Sequence, residues 1–252
     1  VVMPTPHSVP YRPQTDAIAM SAGWRWSIPL TTRVGNGYVY SSKHISDEAA
    51  EAELRAACGS SADARFLKMR VGRMEHSWHR NCLAAGLSQG FIEPLEATAL
   101  HIVIATALEF VRAFERGGFT DEHRDRFNAG AAARYDGIRD YIVAHYRMSQ
   151  RTDTPYWIAN RTNPNLSDEL KGMISAWFTQ ADIAVANAES YAEPPYSPMS
   201  WHALFAGYGT FPDPEKIRAL PNGAIGADAE AIARMLDACV RNFPALPTPD
   251  PH

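Results

Sequence analysis

Gly23-Trp24-Arg25-Trp26-Ser27-Ile28-Pro29-Leu30 alternates large apolar residues with smaller or polar ones, which is the period of a strand. Trp24 and Trp26 stand two apart and so share a face. Core packing explains such a pair, and so does an aromatic wall. Gly35-Asn36-Gly37 follows, and then Tyr38-Val39-Tyr40-Ser41-Ser42. Asn-Gly between two such runs predicts a hairpin, because its turn needs positive φ. Two antiparallel strands are expected here.

Working outward, residues 1–22 hold Pro4, Pro6, Pro10 and Pro13 and read as an extended, loop-like entry. Ser46 before Asp47 and Glu48 predicts a capped helix reaching Ala57. Phe66 to Gly72 reads as a third strand and His76 to Ala85 as a fourth. After Pro94 the texture turns helical. Leu95 to Phe114 carries Ile102, Val103, Thr106 and Val111 on an apolar stripe, and Gly117-Gly118 ends it. Thr120 is expected to cap a second helix to about Met148, with Phe127, Ile138, Tyr141 and Ile142 facing the core. Ser167 caps a third, to about Ala188. Ser197-Pro198 opens a short fourth that ends near Gly207, and Gly226 to Phe243 is a fifth. Strands over 20–90 followed by helices over 95–243 predict an α+β fold: a short antiparallel sheet, then a mainly helical region.

Composition excludes several functions. The chain has 252 residues, 46% of them hydrophobic and 21% charged, enough for a sizeable core. A net charge of -4 argues against nucleic-acid binding by phosphate neutralisation. No apolar run reads as long enough to span a membrane, and no signal peptide opens the chain. Cys58, Cys82 and Cys239 are far apart and form no CxxC pair, which fits a reducing, cytoplasmic setting. His76 and His79 have no metal-ligand spacing, so no metal is expected. Tyr40 stands where Gly35-Asn36-Gly37 would need a third glycine, so there is no dinucleotide fingerprint. There is no GxSxG and no Walker A either.

The stretch from Gly86 to His101 carries the clearest chemistry. A glycine-containing loop runs through Gly90-Phe91-Ile92-Glu93-Pro94-Leu95-Glu96 into a long helix. Free N–H groups and a partial positive charge at such a helix start suit a phosphate, a halide or an electron-rich cofactor edge. Glu93 and Glu96 also fit an ordinary acid-favouring helix start.

Gly23-Trp24-Arg25-Trp26-Ser27-Ile28-Pro29 resembles the WxWxIP motif of flavin-dependent tryptophan halogenases. Thr32 to Ser42, Arg70-Val71-Gly72-Arg73, Trp78, Asn81-Cys82 and Gly90 to Thr98 continue the likeness in family order. So do Arg151 to Trp157 and the segment from Trp201 through Gly207-Tyr208-Gly209 to Phe211-Pro212. The resemblance covers the later part of the family's chain. It implies a halogenase (FAD/NAD(P)-binding-like) fold whose Rossmann FAD part, with GxGxxG and an essential lysine, lies outside these residues. None of Lys43, Lys68, Lys171 or Lys216 stands in that lysine's context. By itself the chain is expected to be inactive.

The resemblance also implies roles. Hypohalous acid forms from halide and oxygen at reduced FAD, which a separate flavin reductase supplies, and travels through a tunnel to an aromatic, indole-like substrate that is chlorinated or brominated. Trp24 and Trp26 would wall the flavin from the substrate. Glu96 would orient the halogenating species or stabilise charge on the ring. Gly90, Phe91, Pro94 and Leu95 would lie along FAD, and Thr98 and the Ala99 N–H would bind chloride or bromide. A small aromatic substrate and a transient reductase are the expected partners, without nucleic acid or membrane, and a homodimer is allowed. Ala97 replaces the family's usual Ser, and Ala99 the Gly of tryptophan-specific members. The segment Tyr191 to Trp201 is shorter than the insertion that grips free tryptophan, so an indole, another small arene or a carrier- or peptide-bound aromatic is expected instead. Two other readings stay open: a flavin monooxygenase that hydroxylates an aromatic substrate, and a non-catalytic helical binding module.

Overall fold

The computed structural model describes residues 1–7, 14–213 and 229–242. These fall into two compact units: the described residues of Val1–Phe66 and Glu215–His252, and those of Leu67–Pro214.

The first unit is built on a four-stranded antiparallel sheet of β1 (Val2–Thr5), β2 (Asp16–Ala19), β3 (Gly23–Pro29) and β4 (Val34–Tyr40), in the order β1-β4-β3-β2. The entry expected as loop therefore supplies both edge strands; Pro10 and Pro13 lie outside the described residues. The hairpin between β3 and β4 is present, but its turn is not at Asn36-Gly37. Ser27 pairs with Asn36 and Trp26 with Gly37 inside the ladder, and the chain reverses where the Leu30 N–H meets the Arg33 carbonyl at 2.8 Å. The glycine serves packing. A Cβ at Gly37 would fall 2.2 Å from the Trp26 ring, and one at Gly35 would fall 3.3 Å from it. The indole lies across a strip of β4 that only a missing side chain leaves open.

α1 (Asp47–Cys58) starts where Ser46 predicts, with the Ser46 hydroxyl accepting the Ala49 N–H. It buries Ala50 and Leu54 against Met3, Met20 and Tyr38. Glu53 fastens helix to sheet: it accepts from Ser21 N–H and hydroxyl and from the Tyr38 phenol, whose oxygen in turn accepts the Ala22 N–H. The expected helix over Gly226 to Phe243 is seen as Ala229–Asn242; both of its named ends lie outside the described residues.

The second unit carries two short ribbons. β5 (Gly72–Arg73) pairs with β8 (Gly90–Phe91), and β6 (Trp78–His79) with β7 (Cys82–Leu83). The strands expected over Phe66–Gly72 and His76–Ala85 shrink to these two-residue pieces. The second is itself a tight hairpin around Arg80, which takes φ 52. Six helices follow: α2 (Thr98–Arg116), α3 (Arg124–Met148), α4 (Pro155–Arg161), α5 (Asp168–Thr179), α6 (Ile183–Ser190) and α7 (Pro198–Gly207). α3 starts after His123 rather than at Thr120, whose hydroxyl is spent on the Gly117 carbonyl. The third predicted helix is two. Gln180 ends α5 in a left-handed cap, and the Asp182 carboxylate accepts N–H groups of the next start. α4, with Thr154 as cap and Pro155 at its first position, was not foreseen.

α3 is the axis of this unit. Phe127, Ile138, Tyr141 and Ile142 are buried on it as expected. On one flank Tyr141, Ala144 and Met148 meet Leu170, Met173, Trp201 and Phe205. On another, Tyr135, Ile138 and Ile142 meet Ile102 of α2. The α2 stripe is correct at Ile102 and Thr106 but not at Val111, which is exposed together with Leu100, Ile104 and Leu108. Leu95–Arg116 is in fact long and apolar enough to cross a membrane by length and composition, against the sequence expectation. It is apolar on two faces: one packs on α3 through Ile102, and the other is exposed.

Gly37→Ala should lower the stability of the sheet unit by about 1–3 kcal/mol through overpacking on Trp26. Gly130→Ala, in α3 with no atom within 4 Å of a Cβ, should raise stability by about 0.5–1 kcal/mol. Denaturant unfolding of both variants checks the pair.

Candidate active site

The segment from β8 into α2 holds most of the predicted site residues, and a buried polar network fixes it from behind. Gln89, 1% exposed, donates to the Ser77 hydroxyl at 2.9 Å and accepts from the Thr106 hydroxyl of α2 at 3.0 Å. Its carbonyl also accepts the Met74 N–H at 2.7 Å. Each group is paired, so the loop is fastened rather than merely covered. Gly90 lacks a side chain because β5 passes close by: a Cβ there would fall 2.6 Å from the Gly72 carbonyl oxygen.

Beyond Pro94 the chain makes a single 3-10 turn over Leu95–Ala97 and then enters α2. Glu96 (φ 66, ψ 2) and Ala97 (φ 53, ψ 31) both sit in the left-handed region. Neither is glycine, and such residues cost about 1–3 kcal/mol each. This kink ends the turn and starts the helix in a new direction. No side chain caps α2, and its first turn carries no acid. Both glutamates precede the helix instead of capping it.

Those uncapped N–H groups adjoin a cavity of about 160 Å³. Gly90, Phe91, Thr98 and Ala99 line it together, with Ile92, Glu93, Leu100 and Ile102 among their neighbours. Thr98 is buried, and its hydroxyl makes no hydrogen bond among the described residues. Pro94 precedes the turn and Leu95 packs toward Ile102 and Ile138; neither lines the cavity.

Glu96 turns to a second set of groups. Its Oε1 lies 3.1 Å from Nε2 of His145 on α3, and His145 Nδ1 lies 3.2 Å from the Tyr208 hydroxyl. The first contact is at ion-pair distance without the alignment of a full hydrogen bond. Tyr141, one turn before His145, meets the imidazole edge to face at 5.2 Å and stacks on Tyr196 at 3.7 Å. Tyr141 donates to the Ser200 carbonyl at 3.0 Å, while the buried Tyr196 hydroxyl has no partner among the described residues. Burial is the main cause that pushes the Tyr141 phenol up to about 12, with the Glu96 charge adding to it. Tyr196 and Tyr208 are raised for the same two reasons. Glu93 faces elsewhere: the Tyr146 phenol donates to it at 2.8 and 3.0 Å.

His145 and Tyr196 escaped the sequence reading. The available signal was Tyr141 and His145 four apart on one helix face, beside the quoted Gly207-Tyr208-Gly209. Trp24 and Trp26 belong to the other unit, on β3. Trp24 is buried with its indole N–H unpartnered among the described residues, and Trp26 covers Gly35 and Gly37.

The tryptophan halogenase family model matches residues 1–221. This chain belongs to the tryptophan halogenase family. The 7-chloro-L-tryptophan 6-halogenase KtzR of Kutzneria sp. is 38% identical over 240 residues, which are 94% of this chain and 46% of KtzR. The tryptophan C-6 flavin-dependent halogenase (chlorinase) from taromycin biosynthesis superposes with a TM-score of 0.82 at 33% identity, covering 96% of this chain and 49% of that one. BrvH, a flavin-dependent halogenase from Brevundimonas sp., gives 0.76 at 31%, covering 96% and 48%. This halogenase-family chain thus spans about half the length of the relatives it matches, and the α+β expectation holds for it.

The carboxyl of Glu96 is held below its ordinary value of 4.5, first by the contact with His145, while burial opposes the shift. A carboxylate lowered in this way stabilises the fold above its unfolded pKa. That contribution is lost as pH falls below 4.5 and through the folded value. In His145→Ala only burial remains, so Glu96 should titrate at higher pH than in the parent. Carbon-detected NMR titration of the side-chain carboxyl measures this, and an unmoved value would remove His145 as the cause.

Proposed function

We propose that the protein containing this chain is an FAD-dependent halogenase that chlorinates or brominates a small, indole-like aromatic substrate. The chain is read as its later, substrate- and halide-side part, with the Rossmann FAD part and the essential lysine outside these residues. One observation carries the proposal. The left-handed pair Glu96-Ala97 sets an anion-seeking helix end and an ionised carboxylate back to back within three residues. Thr98 and the first N–H groups of α2 adjoin one cavity, while Glu96 is turned to His145.

The donor set fits a halide: an unspent hydroxyl, uncapped N–H groups and an apolar surround that strengthens both. The cavity is smaller than the about 300–1,000 Å³ of a whole small-molecule site, so it suits an edge of FAD and not the complete cofactor. Phe91 is the apolar contact for that edge. Gly90 lets the strand pair close, and Pro94 and Leu95 hold the loop that carries Phe91. Bound FAD, once reduced by a separate flavin reductase, supplies with oxygen the oxidising power that converts halide to hypohalous acid.

The remaining tasks fall to this chain. Thr98 and the Ala99 N–H hold the halide. Trp24 and Trp26 wall the oxidising side from the arene. Glu96, kept ionised by His145, stabilises positive charge on the ring as the halogen adds and the ring proton leaves. His145 is a positioning residue here, acting through Glu96, and Tyr208 holds its far nitrogen. The segment from Tyr191 folds down on α3: the Tyr191 phenol reaches Asp140 at 3.3 Å, and Pro195 occupies the space over Gly137 that a Cβ would need. A segment packed in this way supports an arene other than free tryptophan. The exposed stripe Leu100, Ile104, Leu108 and Val111 of α2 is the face on which we expect further parts of the enzyme to pack. Three free thiols suit a reducing cytoplasm. The proposal includes no nucleic acid or membrane partner and allows a homodimer.

The test uses the intact protein with reduced FAD, oxygen and a panel of indoles, read by product mass. A product that gains chlorine or bromine according to the salt supplied supports the proposal; a hydroxylated product independent of halide overturns it in favour of a monooxygenase. Glu96→Gln should lower kcat by about 10²–10³ with flavin binding intact. Thr98→Val should raise the chloride concentration for half-maximal rate about tenfold or more, the worth of one hydrogen bond to an anion.

A further inference from the structure

A second cavity, of about 360 Å³, lies between the end of α2 and the start of α3 and shares no lining residue with the first. Arg112, Arg116, His123 and Arg126 line it, with Glu109 and Glu193 on one side and the buried ring of Phe127 among its walls. The charges are uneven. Arg134 is buried and takes both carboxylates, contacting Glu109 directly and Glu193 at 3.9 Å. Arg124 nearby is neutralised by Asp121 at 2.5 Å. Arg112, Arg116 and Arg126 form no ion pair or hydrogen bond with any described residue.

A solvated helix end explains part of this, because a cation in the last turn of α2 complements the dipole there. It explains Arg116 and leaves the others. Arg112 stands a turn earlier. His123 and Arg126 stand at the start of α3, where the dipole disfavours a cation, and no side chain caps that helix. Three unspent guanidiniums and an imidazole converge on a cavity of small-molecule size. Arginines present forked donors that match phosphoryl oxygens.

We propose that this cavity is a phosphoryl-anion site, taking a phosphate or diphosphate group. It does not depend on the halogenase reading. The intact protein is titrated calorimetrically with inorganic pyrophosphate and, separately, with ADP, with one equivalent of FAD present, so that a flavin site is filled and no free FAD, itself a diphosphate, competes for this cavity. Saturable binding at one site per chain is expected, weakening as salt rises. Equal affinity for the two probes means that the phosphoryl group alone is read; tighter ADP means that the nucleoside is read as well; either supports the site. Arg112→Gln/Arg116→Gln should bind about tenfold or more weakly, while Arg124→Gln should bind as the parent does. Phenylglyoxal labelling of the unaltered protein needs no variant: pyrophosphate should shield Arg112, Arg116 and Arg126 and leave Arg124 reactive. Absence of saturable binding, equal loss in Arg124→Gln, or shielding spread over all surface arginines would overturn the proposal. So would a glutamate-rich peptide that binds these arginines more tightly than pyrophosphate, which would make the cavity a protein-docking surface.

Discussion

The left-handed pair at Glu96 and Ala97 is the constraint on which the helical unit's chemistry depends. A right-handed path through those residues would extend α2 by a turn, cap its amides with its own chain and carry Glu96 to another face. The observed path leaves the amides open and turns the carboxylate to α3. Its strain is held in place on both sides. Behind it, the Ser77–Gln89–Thr106 network binds the preceding loop to α2. Ahead of it, Ile102 and Leu95 are locked into the core around Tyr135 and Ile138. Strain of this kind persists only where the surroundings over-determine it.

Around Glu96 the electrostatics are consistent in sign. Among the described residues His145 is the group that lowers its proton affinity, and the phenols near it, Tyr141, Tyr196 and Tyr208, are all driven toward the protonated form. The region therefore holds the Glu96 carboxylate among protonated phenols. That arrangement suits stabilising a passing positive charge and resists forming a second anion beside the first.

Much of this was legible in the sequence where one local rule acted alone. Ser46, Ser167 and Ser197 each cap the helix they were expected to cap, because a hydroxyl before acids or proline leaves few other choices. The order of strands then helices was equally plain. Reading failed where distant residues decided. Asn36-Gly37 has the local signature of a turn, but an indole from the neighbouring strand needs that glycine flat in the sheet. The run before Gly72 has strand composition but no partner strand among the described residues, so it stays irregular. His145 lies 49 residues beyond Glu96 in the chain, and no spacing rule links a helix interior to a loop at that separation. The motif residues of the loop could be named from resemblance, while the imidazole that faces one of them needed coordinates.

The seating of Trp26 on Gly35 and Gly37 ties two positions in different strands into one inherited unit. A larger residue at 37 is tolerable only if 26 shrinks, and a smaller residue at 26 uncovers a bare strip of sheet. Trp24 carries no such debt to β4's glycines but is itself buried, so the two indoles of the motif are held by different means: one by the core position it fills, the other by the bare strip of sheet beneath it.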